Sequence, residues 1–91
     1  MNLEQIRAEL DKVDTEIVQL FEQRMQLSAQ VATVKRQHNL PITNQAREQE
    51  ILTRIGQEVT PELKDYTQML FTTLFNLSKS YQKSLPGHKD E

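Results

Sequence analysis

The sequence predicts an all-α fold of three helices, one of them very long, that assembles as an intertwined helical dimer. Three observations support this fold class. The 91 residues include only two glycines and three prolines, and helix-forming residues such as Leu, Glu, Gln and Lys are frequent. Apolar residues recur at helical spacing from Leu3 to Val34. The helix that they predict is too long for the rest of the chain to cover.

The first helix is predicted from an almost unbroken apolar seam in which residues alternate at spacings of three and four. No glycine or proline occurs before Pro41, Asn39 can adopt the left-handed conformation that ends a helix, and Pro41 prevents continuation. We therefore predict a helix over residues 3–38, about 54 Å long at 1.5 Å per residue. The seam consists of Leu3, Ile6, Leu10, Val13, Ile17, Leu20, Arg24, Leu27, Val31 and Val34.

The length of this helix predicts the dimer. A compact chain of this size has a radius of gyration near 12 Å, hence a diameter of about 30 Å. The remaining segments are shorter than the first helix, so part of its seam would lie bare in water. A second copy of the chain, packed with its own long helix against the first, would cover the seam.

Two shorter helices follow. Asn44 is a good N-cap for the second, whose apolar side is Ile51, Leu52 and Ile55 and whose end lies near Gly56. Thr60 is predicted to cap the third helix, with Pro61 at its first position. Apolar residues then repeat at helical spacing to about Leu85; they are Leu63, Tyr66, Leu70, Leu74, Leu77 and Tyr81. We assign residues 1–85 to one domain and residues 86–91 to a polar C-terminal tail.

Composition and charge exclude several classes of protein and site. The absence of cysteine excludes disulfides, thiolate zinc sites and cysteine nucleophiles. Eleven basic against thirteen acidic residues give no positive field for nucleic acid. The N-terminus lacks a signal-peptide pattern, and no run reaches transmembrane length. We expect a cytoplasmic protein without membrane or nucleic-acid partners, with His38 and His88 exposed to solvent.

Polar residues stand out where the pattern favours apolar ones. Arg24 lies in the seam, where a guanidinium must be paired or meet an anionic ligand. Lys35 lies three turns further along, close to the same face, and Arg7 lies about 25 Å from Arg24 at 1.5 Å per residue. The two arginines therefore cannot share a small ligand within one subunit, but if the long helices of a dimer run antiparallel, Arg7 of one chain can approach Arg24 and Lys35 of the other.

Four more polar residues share the later helices: Arg47 and Glu48 on the second, Ser78 and Gln82 one turn apart on the third. Together with the three cations they suggest a pocket for a small dianion, not a metal site or a covalent nucleophile. Each residue also has an ordinary interpretation: an interhelical salt bridge for Arg24, a surface pair with Asp11 for Arg7, a solvated helix end for Lys35, local ion pairs for Arg47 and Glu48, and boundary positions for Ser78 and Gln82.

At these positions the sequence resembles the all-helical class of chorismate mutases over nearly its whole length. The resemblance is carried by Arg7, by Arg24 within Glu22–Leu27, by Lys35, by the turn Leu40-Pro41-Ile42 leading to Arg47-Glu48, and by Ser78 and Gln82. No single one of these motifs is specific for the family, but all seven functional positions in the right order and spacing are strong evidence for it. One position departs from the family pattern, since relatives commonly carry Asp where this chain has Asn44. Because Asn is an equally good helix cap, we expect activity to survive this change.

The resemblance implies a function and a role for each residue. It implies rearrangement of chorismate to prephenate, without cofactor or metal, by a homodimer with shared active sites. Arg7 of the partner subunit and Arg24 would bind the two carboxylates, with Ser78 adding a hydrogen bond. Lys35 and Gln82 would donate to the ether oxygen, Glu48 would accept from the ring hydroxyl, and Asn44 and Arg47 would shape that end of the pocket.

Two rival functions remain compatible with the sequence. An isochorismate-pyruvate lyase on the same scaffold would use much the same cations. A non-catalytic helical dimerisation module would keep the apolar seam but would not require Arg24, Lys35, Ser78 and Gln82 together. We expect a monofunctional enzyme, because 91 residues leave no room for a dehydratase, dehydrogenase or regulatory domain.

Overall fold

A computed structural model describes residues 1–87 and contains three α-helices and one turn of 3₁₀-helix. Helix α1 spans Leu3–Gln37, α2 spans Gln45–Glu58, the 3₁₀ turn spans Pro61–Leu63, and α3 spans Lys64–Ser84. No strand occurs in the described residues. The predicted all-α class, the order of the three helices and the great length of the first are confirmed.

Helix α1 begins and ends at residues with recognisable capping roles. The Asn2 side chain accepts a hydrogen bond from the Gln5 backbone N–H, and the Gln5 side chain accepts one from the Asn2 backbone N–H. This reciprocal capping box satisfies two N–H groups that the helix leaves free. At the other end Asn39 has φ +54°, the left-handed conformation predicted for it. The helix stops there because Pro41 cannot continue it.

The start of α2 agrees with the sequence prediction, whereas the start of α3 differs. The Asn44 side chain accepts from the Arg47 backbone N–H, so Asn44 is the N-cap of α2. The Thr60 side chain makes no capping hydrogen bond, and the predicted cap is wrong. Pro61 opens a 3₁₀ turn in which the Thr60 carbonyl accepts from the Leu63 N–H, and α3 begins only at Lys64. A backbone hydrogen bond in this tighter turn therefore replaces the side-chain cap.

Helices α2 and α3 form a hairpin against the C-terminal half of α1. Ala32, Ile42, Ile55 and Phe75 are the buried hydrophobic residues of the described chain. Gly56 permits the close approach of α2 and α3, since a Cβ atom there would lie 2.9 Å from Nε2 of Gln68. The same Gln68 Nε2 donates to the Leu52 carbonyl at 3.0 Å, which is a hydrogen bond between α3 and α2.

The N-terminal half of α1 extends beyond this hairpin. Every residue from 1 to 20 is exposed, including seam residues such as Ile17 and Leu20, which are 57% and 63% exposed. The described chain measures 53 × 27 × 16 Å, and its radius of gyration is 16.3 Å. A compact chain of this length would have a value of about 12 Å. No helix in residues 1–87 is both long and apolar enough to cross a membrane.

The end of the described chain returns to α1. Arg36 donates to the Pro86 carbonyl at 2.7 Å, so the first residue of the predicted polar tail contacts the C-terminal turn of the long helix. His38 is exposed, as expected. His88, also expected to be exposed, lies outside the described residues together with residues 89–91 of the tail. The division into a domain of residues 1–85 and a tail of 86–91 stays a prediction.

Candidate active site

A cavity of about 400 Å³ lies between the C-terminal half of α1 and the hairpin of α2 and α3. That volume is in the range of small-ligand sites. Six of the eight residues assigned to the substrate site from the sequence line this cavity: Arg24, Asn44, Arg47, Glu48, Ser78 and Gln82. Apolar walls come from Leu27, Val31, Ile51, Phe71 and Phe75, among others. The fold therefore brings together polar residues from all three helices.

Arg24 is held in the cavity by neutral groups. Its guanidinium donates to Ser78 Oγ at 2.8 Å and lies 5.8 Å from the centre of the Phe75 ring. Within residues 1–87 no carboxylate forms a salt bridge with it, so the salt-bridge interpretation is not supported in this chain. Burial lowers the pKa of Arg24, because desolvation disfavours the charged form. A partly desolvated guanidinium without a carboxylate partner can accept a carboxylate ligand without first losing an ion pair.

Gln82 is buried next to a residue that the sequence did not single out. Its Nε2 donates to Ser28 Oγ at 2.8 Å, while its Oε1 is buried without a hydrogen-bond partner. An unsatisfied buried acceptor costs about 1–3 kcal/mol. Ser28 is one turn after Arg24 and could have been recognised as a small polar residue on the same face. What the sequence could not show is that Ser28 meets Gln82, which is 54 residues away.

Glu48 on α2 forms a salt bridge with a residue of α3 and not with one of its own helix. Its Oε2 lies 3.1 Å from Nζ of Lys79 on α3, a residue absent from the sequence assignment. The local ion pair considered for Arg47 and Glu48 does not form in the described chain. Lys79 could have been suspected from its position next to Ser78 and three residues before Gln82. Arg47 is exposed at the rim, and its backbone is fixed by the Asn44 cap.

Lys35 is half-buried at the end of α1 but does not line the cavity. Its Nζ donates to the carbonyl oxygen of Ile42 at 2.6 Å, and the same Ile42 lines the cavity. The ammonium thus contacts the loop that joins α1 to α2. An ammonium has three N–H donors, so two remain for another acceptor.

Arg7 is the second assigned residue that the cavity does not include. It is exposed on the N-terminal half of α1, and at 1.5 Å per residue it lies about 25 Å from Arg24 along the helix axis. The predicted surface pair with Asp11 is not found in the described chain, where Lys12–Glu9, Arg54–Glu58 and Lys79–Glu48 are the salt bridges. Within one protomer Arg7 therefore cannot reach the cavity.

The polar groups around the cavity are cations, amides and two hydroxyls, with one carboxylate. In residues 1–87 no group of three or more His, Cys, Asp or Glu side chains could hold a metal ion. A family model described as "Chorismate mutase type II" matches residues 6–83, a range that includes all eight assigned residues. The chain belongs to the chorismate mutase type II family.

Two curated relatives match part of this chain. The T-protein of Haemophilus influenzae is 48% identical over 46 residues, which are 50% of this chain and 12% of that protein. The bifunctional chorismate mutase/prephenate dehydratase of Aquifex aeolicus is 38% identical over 53 residues, 58% of this chain and 15% of that protein. The chain thus aligns with a small part of each much longer relative. No solved structure matches it significantly.

Proposed function

We propose that the protein is a chorismate mutase, which rearranges chorismate to prephenate for phenylalanine and tyrosine biosynthesis in the cytoplasm. The observation that carries this proposal is the desolvated Arg24–Ser78 pair in the same cavity as Gln82 and Glu48, within a chain of the chorismate mutase type II family. The name of one relative adds support, since that protein is a bifunctional chorismate mutase/prephenate dehydratase.

The proposed reaction is a unimolecular rearrangement in which an ether C–O bond breaks while a C–C bond forms. No proton is transferred and no covalent intermediate is required. The protein must hold a flexible dicarboxylate in its folded, reactive conformation, and it must stabilise the negative charge that grows on the ether oxygen. Fixed hydrogen-bond donors can perform both tasks.

We assign one substrate carboxylate to Arg24 and Ser78. Their 2.8 Å hydrogen bond already aligns the two groups, and the remaining guanidinium N–H groups can bind a carboxylate in the bidentate manner that arginine favours. The centre of the Phe75 ring lies 5.8 Å from the guanidinium, which is partly buried. Charge–charge attraction is stronger in such a desolvated place than in water.

Gln82 and Lys35 are assigned to the ether oxygen. The Gln82 Nε2 has two hydrogens, of which Ser28 accepts one. If the amide turns by half a rotation, Ser28 can donate to Oε1 instead, which satisfies that buried acceptor and presents both N–H groups elsewhere. Lys35 would use the N–H groups that Ile42 does not take. Glu48 would accept from the ring hydroxyl, beside Asn44 and Arg47.

We further propose that the protein works as a homodimer, in which Arg7 of the partner subunit completes each cavity. Two features support this arrangement: the exposed apolar seam on the N-terminal half of α1, and the distance of Arg7 from the cavity of its own chain. An antiparallel pairing of long helices would cover the seam and bring the second carboxylate-binding cation to each site.

The direct test is to follow the disappearance of chorismate by absorbance and to identify the product. Prephenate as the product is expected. Parallel incubation with isochorismate distinguishes the lyase, which would release pyruvate. If neither substrate reacts, and a transition-state analogue of the rearrangement does not raise the Tm, the non-catalytic dimerisation module is favoured instead.

A further inference from the structure

Lys79 and Glu48 form the ion pair that connects α3 with α2 in the wall of the cavity. Lys79 Nζ lies 3.1 Å from Glu48 Oε2, and the two side chains are only 24% and 26% exposed. The other two salt bridges of the described chain join residues three or four apart on one helix, with all four side chains more than half exposed. Exposed pairs of that kind contribute little. The Lys79–Glu48 pair is of a different kind, because it is partly shielded and spans two elements.

The charge of Glu48 creates a problem that Lys79 is placed to solve. A carboxylate in the wall of a cavity for a dicarboxylate repels the ligand, and the repulsion is greater where solvent is partly excluded. The ammonium of Lys79 cancels this negative charge at a distance of one hydrogen bond. Because Lys79 contacts only Oε2, the second oxygen of Glu48 is left to accept a hydrogen bond from a ligand.

We propose that Lys79 is a positioning residue for Glu48, an inference that rests on the proposed mutase function and on the role proposed for Glu48 there. Lys79 fixes the orientation of the carboxylate and neutralises its charge, so that Glu48 binds the ring hydroxyl without repelling the two carboxylates of the substrate. Its place on α3, next to Ser78 and three residues before Gln82, puts this function on the same helix as those two hydrogen-bonding residues.

The ring hydroxyl does not react, so the contact with Glu48 exists in both the bound substrate and the transition state. Loss of such a contact raises KM and leaves kcat nearly unchanged. A purely structural function of the ion pair would give another pattern. Loosening α3 against α2 would displace Ser78 and Gln82, and kcat would fall.

The test compares steady-state kinetics of five variants, including Glu48→Gln alone, with the unaltered chain, which is assayed first. Lys79→Met should raise KM for chorismate about tenfold with kcat within about twofold, in the range of coupled charge pairs. Lys79→Arg, which keeps the charge, should stay within about threefold of the unaltered KM. Lys83→Met removes an exposed charge one turn away on the same helix and should change neither constant. In a Glu48→Gln background, Lys79→Met should raise KM by less than about threefold, because no carboxylate remains to be held.

Each outcome has a definite meaning. An unaltered KM in Lys79→Met, or equal effects of Lys79→Met with and without Glu48→Gln, would overturn the inference, as would a fall in kcat as large as the rise in KM. If Lys79→Met does not fold by circular dichroism, Lys79→Gln provides the same comparison. Failure of the proposed function is recognised separately, since the unaltered chain would then leave chorismate unchanged.

Discussion

At the scale of single residues, the candidate site is built from cations whose partners are weak competitors for an anion. Arg24 bonds to the Ser78 hydroxyl, and Lys35 bonds to the Ile42 carbonyl. Neither cation is neutralised by a carboxylate in the described chain. A ligand carboxylate or a charged oxygen can therefore replace or join these contacts with a gain in electrostatic energy, because hydrogen bonds between two charged groups are stronger than those to neutral groups.

Lys35 gives the first prediction at this scale. Lys35→Ala should lower kcat by about two to three powers of ten, since losing a donor to a developing negative charge costs roughly 2.7–4 kcal/mol. The control is Arg36→Ala, which removes the adjacent positive charge; the Arg36 guanidinium donates to the Pro86 carbonyl and does not line the cavity. Steady-state assays with chorismate measure both. Equal losses in the two variants would contradict the role given to Lys35.

The pH dependence of the reaction is a second residue-scale prediction. Gln82 has no ionisable proton, and the lowered pKa of Arg24 still belongs to a guanidinium, whose charge persists well above neutral pH. Desolvation is the cause of that lowered pKa, and it makes the Arg24 guanidinium lose its proton at a lower pH than usual, but still only at high pH. We expect kcat to be nearly constant from about pH 5 to 9, between ordinary carboxylate and lysine pKa values. A steep change near neutrality, measured in buffers of constant ionic strength, would argue against this donor set.

At the scale of elements, capping residues connect the fold to the site. Asn44 ends the loop that carries Ile42 and begins the helix that carries Arg47 and Glu48. Removing its side chain in Asn44→Ala should destabilise the protein by about 1 kcal/mol, the typical contribution of an N-cap. Asn44→Asp should retain the capping bond and the stability. Thermal unfolding at one fixed protein concentration distinguishes the two, because the stability of a dimer depends on concentration.

The sequence predicted elements better than contacts between them. The end of α1 at Asn39 and the start of α2 at Asn44 could be predicted because each depends on one residue's local conformational preference. The predicted side-chain cap at Thr60 was wrong because a backbone hydrogen bond of the Pro61 turn, from the Leu63 N–H to the Thr60 carbonyl, takes its place. The contacts of Ser28 and Lys79 with the site could not be predicted, for a different reason. Helical periodicity shows which face a residue occupies, but not which residue of a distant helix packs against that face.

At the scale of the whole molecule, one protomer holds an incomplete set of the residues assigned to the substrate. Its cavity includes Arg24 and the polar groups of α2 and α3, while Arg7 lies on the exposed half of α1. The same half of α1 carries the uncovered apolar seam. A second copy of the chain would explain three features together: the length of α1, the exposure of its apolar seam and the distance of Arg7 from the cavity. We therefore keep the homodimer as our proposal.

Mixing two inactive variants tests this sharing of residues. Arg7→Ala and Arg24→Ala should each lose most activity, because each removes one carboxylate-binding cation from every site. After subunit exchange, a mixed dimer contains one site that lacks both arginines and one that has both. With random exchange of equal amounts, about half of the dimers are mixed, so roughly a quarter of all sites should regain full activity. Native mass spectrometry can confirm the exchange, and a double Arg7→Ala/Arg24→Ala variant mixed with either single variant is the matched control that should gain nothing. If exchange is complete and activity does not recover, each cavity must bind its substrate without an arginine from its partner.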